Sequence, residues 1–224
     1  MVFIITIYWT NVVCEQNHLH MKLHENRAHT AICSLLLLIY CSPRQGTAQT
    51  FSPSGTTIIF YADPQVEESI WPPLFEAFHD EMAREESDYV LPEDLELVRA
   101  SALVPGQEFR QVIEVRLIGR CDVAEQADHY LRRGPLGWVR EVSGEIQPFV
   151  YVDCERLAQF LNPTTLGMDE RQRREAMARA ISRIAIHEWI HIDTQSARHE
   201  SHGIRQAELS SKDLTAGPQA AQGH

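Results

Sequence analysis

The run His187-Glu188-Trp189-Ile190-His191 sets two histidines four residues apart, with a glutamate directly after the first. On a helix, residues i and i+4 project from one face about one turn apart, so imidazoles at this spacing can ligate one zinc ion. The carboxylate at i+1 then lies beside the metal. There it can take a proton from water and pass it to a leaving group. A catalytic zinc uses three protein ligands and keeps a fourth position open. The candidates for the third ligand follow closely in the chain: His199, Glu200, His202 and Glu208. His199 ranks first, because eight residues beyond His191 leave room to end the helix near 193–196 and turn back to the metal. His202, beside Gly203 in a turn-like stretch, ranks second. Asp193 is a candidate to orient a ligand histidine, the alternative being a solvated residue at the helix end. For the motif as a whole, the alternative is a buried histidine pair satisfied by ordinary hydrogen bonds.

A long helix must carry this motif. Asp169, with Gln172 three residues on, makes a capping pair at its start. Met177, Ile181, Ile184, Glu188 and His191 fall at i, i+4, i+7, i+11 and i+14, on one face. Around the motif the helix is apolar on every side: Ile184, Ala185, Ile186, Trp189, Ile190 and Ile192. Such a segment is buried, and a glutamate and histidines inside it need strong partners. Arg171, Arg173, Arg174, Arg179 and Arg183 read as a solvated basic face. Upstream, strands are expected at 56–63, 95–101 and 108–121, with two more in 134–154 joined by a turn at Ser143-Gly144. A helix over 71–87 carries its prolines in the first turn, and a short helix over 155–161 stops at a break over 162–168. The pattern predicts an α+β domain, a small mixed sheet packed against the long active-site helix and one or two other helices. A strand near 146–153 is a candidate to bind an extended peptide by strand addition, which strand forms the edge being open.

Composition bounds the rest. A chain of 224 residues with 44% apolar and 23% charged content is ordinary for one globular domain. A formal charge of −11 argues against nucleic-acid binding, which favours a basic face. The apolar runs 1–14 and 31–40 are each too short to span a bilayer as a helix. Read from Met21, however, the layout is that of a signal peptide over 21–48. It has a charged start, the apolar run 31–40, and Gly46 and Ala48 before a cleavage point. Residues 1–20 are then an upstream extension of the reading frame. The domain occupies 49–214, and 215–224 is a disordered tail. The product is secreted or periplasmic, with no stable membrane span in the mature chain; the alternative is an N-terminal membrane anchor. Of the five cysteines, Cys121 and Cys154 remain after cleavage. An even number in an oxidising compartment permits one disulfide, two buried thiols being the alternative.

The stretch from His187 also resembles a group of secreted bacterial zinc-peptidase-like proteins of the zincin class, loosely related to metzincins. In that group the H-E-x-x-H helix is followed, eight residues after its second histidine, by H-x-x-x-G-I. Here that segment is His199-Glu200-Ser201-His202-Gly203-Ile204. The stretches "LSSKDL" (209–214), "LGWV" (136–139), "IQPFVYVDC" (146–154) and "LIGRC" (117–121) are similar to the same group. The resemblance implies a zincin-like domain with zinc on His187, His191 and His199, and Glu188 as general base. It also implies a Cys121–Cys154 pair and a peptide or protein substrate. Two features depart from metzincins. Thr194 and Ala197 stand where those proteins have a glycine and a histidine, and Arg205 follows Gly203-Ile204 with no methionine turn in view. The rival reading is a non-catalytic secreted domain with a closed zinc site, for instance with His199 and His202 both bound. A third is a metal hydrolase with a non-peptide substrate. Three protein ligands indicate catalysis and four a structural site.

Overall fold

The stretch Thr56–Ala62 (β1) is rich in β-branched and aromatic residues, and it forms an inner strand of the sheet. A computed structural model describes residues 55–85, 94–122, 134–201 and 203–217. The leader expected at 21–48, the extension 1–20, His202 and residues 218–224 lie outside these. Leu95–Arg99 (β2) and Gln111–Ile118 (β3) pair parallel on either side of β1. Gly137–Val142 (β4) and Glu145–Asp153 (β5) form a hairpin, in which β5 pairs parallel with β3 and antiparallel with β4. Among the described residues the strand order is β2-β1-β3-β5-β4, a mixed sheet of five strands. The hairpin turns at Ser143 and Gly144, with φ of 56° and 83°. Two positive φ values make the tight turn that matches strand twist.

Helices Trp71–Glu85 (α1), Cys154–Thr165 (α2), Glu170–Thr194 (α3) and Ser211–Thr215 (α4) complete the α+β domain. α1 and α3 are the most extensively packed helix pair, and α3 also crosses β4 and β5. The apolar sides of β1, β3 and β5 (Ile58, Phe60, Ile113, Val115, Val150, Val152) share one core with them. Phe60 meets Phe78 of α1 edge-on at 5.9 Å between ring centres. α2 runs past the expected stop, through Pro163 to Thr165. Leu161 and Thr165 are both buried at i, i+4, and the Thr165 hydroxyl donates to the Leu161 carbonyl, which holds the last turn.

Two expectations need correction. β5 is not an edge: because it pairs with β3, its hairpin partner β4 is left outside, and the edge role passes to 137–142. Nor is the arginine run wholly solvated. Arg183 is buried, and its guanidinium donates to the Asp213 and Ala216 carbonyls while pairing with Glu81 at 2.9 Å. Arg179 donates to the Thr215 carbonyl at 3.2 Å, and burial pulls its guanidinium below the ordinary arginine value. These two cap α4, whose last carbonyls lack partners within the helix. α4 itself reaches Thr215, which is buried, one residue past the domain boundary at 214.

Cys121, after β3, is bonded to Cys154, the first residue of α2. The bridge closes a sequence separation of 33 residues. Cross-linking a loop of that length stabilises by about 4 kcal/mol through the unfolded chain. The double variant Cys121→Ala/Cys154→Ala is therefore expected to lose about 2–4 kcal/mol by denaturant unfolding. An equal midpoint with and without reductant in the parent protein would contradict it. Among the described residues no helix is long and apolar enough to cross a membrane.

Candidate metal centre

α3 starts as its sequence requires. The Asp169 carboxylate accepts from the Gln172 amide, and the Gln172 side chain accepts from the Asp169 amide. Twenty-five residues then bring the motif to the C-terminal end, where the helix has sunk into the core. Glu188 and His191 are each 8% exposed.

The two motif histidines face each other across 3.1 Å, Nε2 to Nε2. Their Nδ1 atoms point away, His187 to the Ile204 carbonyl and His191 to the Ser196 carbonyl, both at 2.6 Å. A carbonyl only accepts, so each Nδ1 carries the proton and each Nε2 offers a lone pair. Two lone pairs this close repel unless a cation lies between them. Two nitrogens each about 2.0 Å from a tetrahedral ion stand about 3.3 Å apart, close to what is observed. The His199 ring lies 4.8 Å from that of His191 and 5.3 Å from that of His187. One nitrogen from each of the three falls within 4.8 Å of the others, a group able to hold a metal ion. Burial holds His187 below the usual imidazole range, against the opposing pull of its bond to the Ile204 carbonyl and with the help of His191 and His199; burial and His191 do the same for His199.

The chain matches no family model, no curated protein and no solved structure.

The other ligand candidates among the described residues go elsewhere. Glu200 pairs with Arg205, and Glu208 lines a cleft without joining the histidines. Asp193 is exposed, and the orienting role considered for it belongs to backbone carbonyls. The tight turn Gly203–Arg205 supplies one of them and buries Ile204 in the core.

Glu188 sits at the same helix end. Burial pushes its carboxyl up to about 7, against the opposing pull of a hydrogen bond from the Val139 backbone on β4. A cleft of about 590 Å³ opens beside His187 and Glu188. Its walls are the chain stretches 134–137 and 206–210, and Phe160, Ile184 and Leu214 make it apolar. Its size is that of a small-ligand site.

Gly137 lets the sheet edge come this close. A Cβ there would lie 2.2 Å from Ile184 Cγ2 and 3.6 Å from Glu188 Cγ. Ile184 is buried and branched, so the edge would have to move. Gly137→Ala is expected to destabilise by about 1–3 kcal/mol, read as a lower Tm; an unchanged Tm would show that α3 and β4 are not in contact there. The glycine stood in the sequence without a motif to flag it. The carbonyls of Ser196 and Ile204 and the Val139 amide carry no sequence signal at all.

Proposed function

We propose that the protein is a secreted zinc-dependent metallopeptidase. The observation that carries this reading is the group of three imidazoles, one of which, His187, lines a cleft together with the buried Glu188 beside a sheet edge. Three imidazoles suit several first-row metals, and zinc is the one whose four-coordinate sites leave an open position without redox chemistry. When bound, zinc supplies the Lewis acidity that activates water and polarises a carbonyl. The described residues bring three donors to the group, the number that catalysis needs. Glu188, with its carboxyl near 7, is matched to accepting and returning a proton at neutral pH. The outer edge of β4 offers backbone groups to an extended peptide, and the apolar cleft takes one of its side chains. Export is supported by the Cys121–Cys154 disulfide and by the leader pattern over 21–48.

The test is zinc quantification on the purified mature chain, paired with digestion of a random peptide library. About one zinc per chain is expected, with cleavage enriched at bonds flanked on one side by a large apolar residue. Protein without zinc, or His199→Ala with unchanged affinity, sinks the site. Zinc held by four protein ligands, without cleavage, favours the closed structural site instead.

A further inference from the structure

The chain leaves α3 through a residue with an unusual conformation. Gln195 has φ 48° and ψ 39°, the left-handed region that a residue with a Cβ enters at a cost of about 1–2 kcal/mol. Glycine is the usual residue for such a turn, and none stands here. Three side-chain hydrogen bonds offset the strain. Gln195 Oε1 accepts from the Ile146 amide at 2.9 Å. Its Nε2 donates to the Ile146 carbonyl at 2.9 Å and to the Ile192 carbonyl at 2.7 Å. The carboxamide thus pairs with both backbone groups of one strand residue, as a neighbouring strand would. Ile146 has room for it, because β3 accompanies β5 only from Phe149 onward.

This staple ties the end of α3 to the start of β5, immediately before the segment that returns to the histidines. The Gln195 and Ser196 amides both point to the His191 carbonyl. The Ser196 carbonyl then meets His191 Nδ1 at 2.6 Å, and three residues later His199 reaches the group. His199 is exposed and its own packing cannot hold it. On its far side the chain is fixed by the Glu200 amide on the Arg205 carbonyl at 2.9 Å and by the Glu200–Arg205 ion pair.

We infer that Gln195 is a positioning residue for the metal group: its carboxamide, clamped on Ile146, sets the turn that delivers His199 as third ligand. The inference rests on the metal reading above. Its signature is a coupling between Gln195 and His199 that a merely structural residue would not show.

The experiment is a double-mutant cycle on zinc affinity, measured by competition with a chromophoric chelator. Gln195→Ala is expected to weaken zinc about 10–100-fold in the parent chain and by less than about 3-fold in a His199→Ala background. Gln195→Gly separates the staple from the backbone strain, because glycine makes the same turn freely. It is expected to keep the parent Tm within a few degrees and still lose the affinity. Gln195→Ala with parental affinity, or with equal losses in both backgrounds, overturns the inference while the metal site stands. A parent chain that takes up no zinc overturns both.

Discussion

Glu188→Gln is expected to keep zinc bound and to lose hydrolysis by about 10²–10⁴-fold, the range for removing a general base. Glutamine is nearly isosteric, can still accept from the Val139 backbone, and leaves the three histidines untouched. A variant that retains more than about a tenth of the activity would remove Glu188 from the mechanism. The same substitution has a second signature in the metal-free protein. The Glu188 carboxyl titrates near 7 in the fold against 4.5 in the open chain. A raised folded value means that the stability it contributes is fully present below about pH 4.5 and is lost as pH rises through 7. At about 1.4 kcal/mol per pH unit, the ionised carboxylate costs the metal-free fold at most about 3 kcal/mol at pH 8. Metal-free Glu188→Gln should therefore melt above the parent at pH 8 and close to it at pH 4. Equal melting at both pH values would show that the carboxyl is not desolvated.

Glu81→Leu is expected to destabilise the domain by about 3–5 kcal/mol. Glu81 is 3% exposed on α1 and bonds Arg183 at 2.9 Å and Arg84 at 2.8 Å. Arg183 is 9% exposed, and its only other bonds among the described residues are to the Asp213 and Ala216 carbonyls. Removing the carboxylate leaves a buried guanidinium without a counter-charge, a far larger penalty than the loss of a surface pair. For a domain of this size the loss corresponds to a Tm lower by about 10 °C. Glu81→Leu/Arg183→Met is expected to recover much of it, because an apolar pair of similar volume needs no desolvated charge. The double variant should nonetheless cleave peptides poorly, since the cleft wall 206–210 and Leu214 lead into the α4 cap that Arg183 makes. A single variant within about 1 °C of the parent would show the pair to be solvated.

Features that depend on neighbours in the chain were legible without coordinates. The capping pair Asp169/Gln172, the apolar stripe of α3 and the meeting of His187, Glu188 and His191 at one end of it follow from the helical repeat alone. The strand expected at 108–121 is local in the same way, since Ile113, Val115 and Leu117 alternate with polar residues along β3. The burial of Arg179 and Arg183 is not legible in the same way, because a charged run at helical spacing looks the same whether water or a later segment covers it. Here α4, about thirty residues downstream, supplies the cover.

What the sequence determined by itself is therefore the local chemistry: a helix bearing two imidazoles one turn apart with a carboxylate between them. Its register follows from bonds four residues long. Tertiary structure decided what lies beyond that range. It decided that His199 closes the group, because the turn at Gln195 is held by Ile146, 49 residues away in sequence. It decided that the carbonyls of Ser196 and Ile204 set the histidine tautomers, since backbone acceptors are common to every residue type. And it decided that β4 borders the cleft, because a hairpin strand becomes an edge only when its partner pairs elsewhere, here with β3.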